Sequence, residues 1–374
     1  MEEKVKNLKN SIEKIKNKDF GIYFFTIDTK GNPTAGVANI YEHAKTLIDL
    51  GYNANILHDK NDYRLNGNEE GMGVTDWLGE EYGNIPHVSI ESQKLKVGPE
   101  DFVIIPEAFA TIMKQTIKFP CKRVIFLQSY EYVFEMLEIG ESWESFGINE
   151  VITTSNTLKE HINSIFRNLN TEIIPVGIPN YFKNSDKPKI PTISISSRDN
   201  RELLKIVKVF FQKYPHYRFV TFRDMSGMSR KEFAKVLGKS FLGVWVDELS
   251  SFGTFPIECM KSNTPVIGKI PRMVPEWMGK LDKNGNLNLN DNGVWTANLN
   301  SIPDLIATMV GLYIEDSIPK NLTEKMDEMQ LQYSEEESKS ILTDVYEGIF
   351  DRRLNELNTI IERENNKVTE EVAQ

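Results

Sequence analysis

The sequence predicts an α/β protein of two successive domains, and three observations predict it. From residue 20 onward, short apolar, β-branched runs alternate with segments whose apolar residues recur at helical spacing. The runs are joined by helix-length connections rather than two-residue turns, which is the pattern of parallel sheets. The alternation stops once, at PNYFKNSDKPKIP (179–191), a stretch with three prolines and little apolar character, and then begins again. The expected division is therefore 1–178, a linker at 179–191, a second domain at 192–335, and a C-terminal helical segment at 336–374.

The elements follow in order. Residues 3–18 place Val5, Leu8, Ile12 and Ile15 on one stripe of a helix, opposite a lysine-rich face. That stripe suits packing on the domain, or contact with a membrane surface or partner. FGIYFFTI reads as a buried strand, KGNPTAG as a turn and VANIYEHAKTLIDLG as a helix closed by Gly51. YNANILH completes a β–α–β unit. HVSI, DFVIIP, RVIFLQ, EVITTS and TEIIPVGI read as further strands, with NTLKEHINSIF a helix capped by Ser155 or Asn156. Residues 60–86, rich in Gly, Asn and Asp, read as an irregular insertion of the kind that carries binding residues. After the linker, TISISS, YRFVTF, FLGVWV and TPVIG alternate with helices at RELLKIVKVFFQKY, SRKEFAKVLGK, FPIECMKS and IPDLIATMVGLYI.

Composition narrows the function. Of 374 residues, 40 % are apolar and 26 % charged, a globular balance. The net charge of −10 opposes broad binding of a nucleic-acid backbone, so no nucleic-acid partner is expected. No apolar run reaches the length of a membrane span, and the first residues lack a signal-peptide core, so a cytoplasmic location is expected. Cys121 and Cys259 each lie in or beside apolar stretches and are expected to stay reduced. The five histidines show no metal-pair spacing, and no P-loop, zinc pattern or nucleophile elbow is present.

Three segments suit chemistry at the carboxyl ends of the strands, where open α/β sheets bind ligands. The turn at Gly31–Gly36 brings small residues to a helix N-terminus, which favours anions; an ordinary βα turn is the alternative. SSRDNRELL places Arg198 and Arg201 where a strand meets its helix, suited to a diphosphate; a surface pair with Asp199 or Glu202 is the alternative. VWVDELSSFGTFPIECMKSNTPVIG runs from a strand through a small-residue loop into a helix expected to begin near Pro256. There Gly253 and Thr254 offer backbone N–H groups to a phosphate, and Glu258, in the first turn, suits the two hydroxyls of a ribose.

SFGTFPIECMKSNTPVIG resembles the signature of glycosyltransferase family 4 on Phe252, Gly253, Pro256, Glu258, Thr264, Pro265, Val266 and Ile267. VITTSNTLKEHI…TEIIPVGIPNYF resembles the segment before that family's linker, and YSEEESKSILTDVYEGIF its C-terminal end. IFLQSYEYVF and SSRDNRELL look most like the rhamnosyltransferase-type members. The resemblance implies the GT-B fold, two Rossmann-like domains facing across a cleft, with the C-terminal helices packed back on the first domain. It implies a retaining sugar transfer from a nucleotide-diphosphate donor to a glycan, lipid-linked or protein acceptor, without a cofactor or required metal. By position it implies Arg198, with Arg201 near the place of a partner lysine, on the diphosphate and Glu258 on the ribose. Gly36 falls near the donor phosphate and Gln128 beside the transferred sugar, with Ser250, Phe252, Gly253 and Thr254 in the donor loop. The family's earlier glutamate, which contacts the sugar, is replaced by Ser250, the nearest acid being Glu248; that departure leaves a non-catalytic scaffold as the alternative. A location at the inner membrane face through residues 3–18 is also expected, as is the possibility of a related epimerase or phosphorylase chemistry on the same fold.

Overall fold

The computed structural model describes residues 2–372 except 29–33, 62, 70, 92–94, 186, 198, 321 and 323–331. Two parallel sheets dominate it. The first has seven strands: β1 (Gly21–Phe25), β2 (Asn53–His58), β3 (His87–Ser89), β4 (Phe102–Pro106), β5 (Lys122–Leu127), β6 (Glu150–Thr153) and β7 (Asn170–Ile173), in the order β3-β2-β1-β4-β5-β6-β7. The second contains β8 (Ile190–Ser196), β9 (Thr221–Asp224), β10 (Ser240–Trp245), β11 (Val266–Lys269) and β14 (Val294–Thr296), in the order β14-β11-β10-β8-β9. Strands β4, β5 and β10 are buried along their whole length, as expected of strands covered by helices on both faces.

The connecting helices are α1 (Glu2–Lys16), α2 (Ala35–Asp49), α3 (Val74–Trp77), α4 (Ala110–Gln115), α5 (Tyr130–Met136), α6 (Asn156–Ile165), α7 (Asn200–Lys213), α8 (Arg230–Lys239), α9 (Thr254–Lys261), α10 (Ile302–Ile314) and α11 (Glu335–Val372). Three differences from the sequence reading have local causes. The linker's last two residues, Ile190 and Pro191, already belong to β8, whose pairing with β10 begins at Ile190 and shifts register before Ile193; Pro191, next to the strand's first residue, needs no ladder N–H there. The insertion at 60–86 contains the short α3, begun at Gly73 and held by the Asp76 carboxylate on the Gly73 N–H at 3.1 Å. A small antiparallel hairpin, β12 (Gly279–Leu281) with β13 (Leu287–Leu289), follows β11 and turns through Gly285 at φ +81°.

The long C-terminal helix α11 lies against α1 and α2 of the first domain. Phe350 meets the rings of Phe20 and Phe102 at centroid distances of 4.9 and 4.7 Å, and the Tyr346 hydroxyl lies 3.2 Å from His43 Nδ1 on α2. Leu8, Ile12 and Ile15 are buried in the same core. The apolar stripe of α1 is thus already covered by the protein itself, and its lysine face is what remains for any outside contact. No described helix is long and apolar enough to cross a membrane.

The two sheets present their carboxyl ends to a shared cleft, and hydrogen bonds cross it. The Glu276 carboxylate of the second domain accepts the Asn156 N–H at 2.9 Å and the Thr157 hydroxyl at 3.0 Å, capping α6 of the first. The Tyr130 N–H donates to Ser251 Oγ at 2.9 Å.

Candidate functional site

The cleft divides into two connected chambers that share Thr34, Ala35, Val176, Ser196, Ser197, Thr254 and Phe255. The smaller, about 280 Å³, is walled by Met225, Met228, Phe233 and Trp77, with Glu258 and Arg230 facing it. The larger, about 750 Å³, is lined by hydroxyl and amide side chains, among them Thr26, Gln128, Ser129, Thr154, Ser250 and Ser251, and by two carboxyl groups, Glu107 and Asp247. No described group of three or more His, Cys, Asp or Glu is placed to hold a metal ion.

The loop between β10 and α9 is built around Gly253, which adopts φ +76°, a conformation glycine reaches without strain. A Cβ there would stand 3.0 Å from the rings of Trp245 and Trp277. This turn starts α9 at Thr254, two residues before the expected Pro256. Pro256 is tolerated because the first four N–H groups of a helix lack intrahelical acceptors. Glu258 consequently sits at the fifth helical residue, two residues deeper than the expected first-turn position. The Gly253 N–H is also not available to a phosphate, since it donates to Ser250 Oγ at 3.0 Å. Thr254 remains at the chamber junction, at the helix N-terminus. Phe252 contributes backbone to the wall, while its ring packs on Tyr333 and its carbonyl accepts the Trp277 indole N–H at 2.6 Å.

Glu258 is buried, and burial pushes its carboxyl up to about 7, against the opposing pull of Arg230. The Arg230 guanidinium lies 3.1 Å from Glu258 Oε1, with 13 % of the arginine side chain and 10 % of the glutamate exposed. Among the described residues Arg230 is the one cation lining either chamber. Sequence reasoning missed it: Arg230 opens α8 directly after the N-cap Ser229, and nothing in that local pattern tells which distant acid it meets.

Gly36 and Gln128 come together. The Gln128 amide donates to the Gly36 carbonyl at 3.1 Å and accepts from Asn39 at 3.2 Å, joining β5 to the start of α2. Arg198 lies outside the described residues, as does most of the turn before α2. Arg201 does not line the cleft. Its side chain is 92 % exposed and forked on Asp199, whose carboxylate also caps α7; that is the surface pair the sequence left open as an alternative. Glu248, the acid nearest Ser250 in the sequence reading, turns away to Lys269 and Arg272, and Asp247 faces the chamber instead. Glu107 was missed too, although a lone acid closing the otherwise apolar strand FVIIP is a readable signal.

Comparison with known proteins places the fold. A solved structure of the pneumococcal O-GlcNAc transferase GtfA with UDP and GlcNAc superposes at a TM-score of 0.61 with 9 % identity, covering 90 % of this chain and 99 % of that one. Anabaena HepE with UDP-glucose superposes at 0.58 with 12 % identity, covering 88 % and 99 %. The chain has the GT-B fold. By sequence it is similar to an alpha-1,6-glucosyltransferase of Actinobacillus pleuropneumoniae, 27 % identical over 258 residues that make up 67 % of this chain and 73 % of that protein. No protein-family profile matches the chain.

Proposed function

We propose that the protein is a glycosyltransferase that moves a sugar from a nucleoside-diphosphate donor to an acceptor hydroxyl. The observation that carries this reading is the division of the cleft into a small chamber with a buried carboxyl and a larger hydroxyl-lined one. The small chamber suits a nucleoside, with the base against Met225, Met228 and Phe233 and a ribose hydroxyl on Glu258. The large chamber suits the transferred sugar and the incoming hydroxyl. The diphosphate then lies at the junction, beside Ser196, Ser197 and the N-terminus of α9, where a helix end favours negative charge.

As the glycosidic bond breaks, charge grows on the leaving diphosphate. Arg198 and the first-turn N–H groups of α9 stabilise it, and removing one such preorganised donor costs about 10²–10³ in rate. Arg201 joins them only if it leaves its fork on Asp199. Closure of the domains orients the acceptor and excludes water. Retention of configuration, and turnover without a metal, are supported by the family 4 motifs alone, as is the placement beside the rhamnosyltransferase-type members. The similar protein being a glucosyltransferase, and HepE holding UDP-glucose, support UDP-glucose as the first donor to assay.

The test is thermal unfolding with UDP, GDP, ADP and dTDP and their sugar conjugates. A ligand at about 100 times its dissociation constant stabilises by about 2.7 kcal/mol, a shift of several degrees. The expected outcome is a shift with UDP that Glu258→Ala abolishes. A chain that responds to none of them is not a transferase, and the Ser250 departure then favours a scaffold in a glycosylation assembly; one structural neighbour is the GtfA/B complex.

A further inference from the structure

Glu107 is a buried acid on the wall of the larger chamber, 3 % exposed, and nothing in the transfer scheme uses it. Among the described residues its carboxylate faces no cation. Oε1 accepts the Ser129 N–H at 2.7 Å and Oε2 the Gln128 N–H at 3.2 Å. These two N–H groups belong to the corner between β5 and α5. Among the described residues nothing else in that corner replaces the carboxylate: Ser129 is the N-cap of α5, yet its hydroxyl makes no capping bond and has no partner among them. The next N–H along, that of Tyr130, is the one that crosses the cleft to Ser251 Oγ. Ser251 adjoins Ser250, whose hydroxyl holds the Gly253 turn at the start of α9. The other end of the corner, the Gln128 side chain, holds the Gly36 carbonyl at the start of α2.

We propose that Glu107 is a positioning residue for sugar transfer, fixing the 128–130 corner so that one face of it holds the α2 N-terminus and the other docks on the donor loop of the second domain. A neutral acid cannot do this as well as a carboxylate, since one of its oxygens becomes a donor facing a donor N–H. Burial pushes the Glu107 carboxyl up to about 7, with the backbone N–H groups pulling the other way. No charged side chain contributes to that shift; Tyr132 and Asp247 are the chamber's other titratable groups. The corner therefore tightens as pH rises through neutrality, and transfer rises with it.

The inference rests on the transferase reading, and the experiment separates the two. Glu107→Gln is compared with the unaltered protein by amide hydrogen exchange, by UDP-induced thermal shift and by transfer kinetics from pH 6 to 8.5. The expected result is exchange at the Ser129 and Tyr130 amides at least tenfold faster, an unchanged UDP shift, kcat at least tenfold lower with donor KM within about twofold, and loss of the rise in kcat near pH 7. Ser251→Ala should lower kcat and add little when combined with Glu107→Gln, because both act through one hydrogen bond. Unchanged exchange overturns the positioning role. Faster exchange with unaltered kcat and pH profile, or fully additive effects with Ser251→Ala, overturns its contribution to transfer. Should E107Q fail to fold, Glu107→Asp, which keeps the charge on a shorter arm, takes its place, with the same faster exchange and lower kcat expected but with a pH dependence retained, since its carboxyl still titrates. If neither protein responds to any of UDP, GDP, ADP, dTDP or their sugar conjugates, the transferase reading fails, while hydrogen exchange still decides whether Glu107 holds the corner.

Discussion

Replacing Arg230 by methionine removes the counter-charge of Glu258 and leaves a similar volume of apolar side chain. The pair is short, at 3.1 Å, and nearly closed to water. Removing one partner of such a buried pair costs about 3–5 kcal/mol when the other must stay charged. Glu258 need not stay charged, because burial already holds its carboxyl near 7 with Arg230 in place. Without the arginine its native pKa rises further. A carboxyl whose native pKa is raised contributes stability that is fully present below its unfolded pKa, near 4.5, and is lost as pH climbs through the native value. The variant and the unaltered protein should therefore approach each other at pH 6, where Glu258 is protonated in both. They should separate at pH 9, by about 1.4 kcal/mol for each unit of further shift. Two units give a difference between the two pH values of about 3 kcal/mol, read from urea unfolding at each. A penalty equal at both pH values, or greater at pH 6, would refute the coupling of Arg230 to the Glu258 charge.

Other perturbations address the loop and the domain contacts. Gly253→Ala forces a Cβ against two tryptophan rings at φ +76°, and should cost about 1–3 kcal/mol in thermal unfolding and weaken the UDP response; unchanged stability would place the turn elsewhere. Glu276→Ala deletes the carboxylate that caps α6 from across the cleft, so small-angle scattering without nucleotide should show a larger radius of gyration, and stability should fall by about 1 kcal/mol. An identical radius would show that other contacts set the closure. Arg198→Ala should cut transfer at least tenfold with the fold intact, and Arg201→Ala far less, since Arg201 stands on the outward face with Asp199. Equal losses would mean that Arg201 leaves that fork during turnover.

Much of the architecture was written locally. The short continuous apolar runs FGIYFFTI and FLGVWV, the helical spacing between such runs and the break at 179–191 each depend on neighbours in the chain, so two parallel-sheet domains could be read directly. The donor loop was legible for the same reason: small residues after a strand and an acid early in the next helix need no long-range information. Its details were less so. The left-handed turn at Gly253 began the helix earlier and moved Glu258 two residues deeper, because Trp245 and Trp277 crowd that glycine.

What sequence alone determined, then, is what depends on chain neighbours: the strands, the helices, and a small-residue loop leading into the helix that carries Glu258. Tertiary structure decided which groups meet. It brought Arg230 from the start of α8 onto Glu258, turned Asp247 rather than Glu248 toward the larger chamber, and left Arg201 facing outward with Asp199. It spent the α1 stripe on the core shared with α11, and set Glu107 beneath a corner whose next N–H reaches the other domain. The physical reason is common to all of these. A charge or an apolar stripe finds its partner according to which surfaces folding removes from water, and those surfaces come from segments tens to hundreds of residues apart.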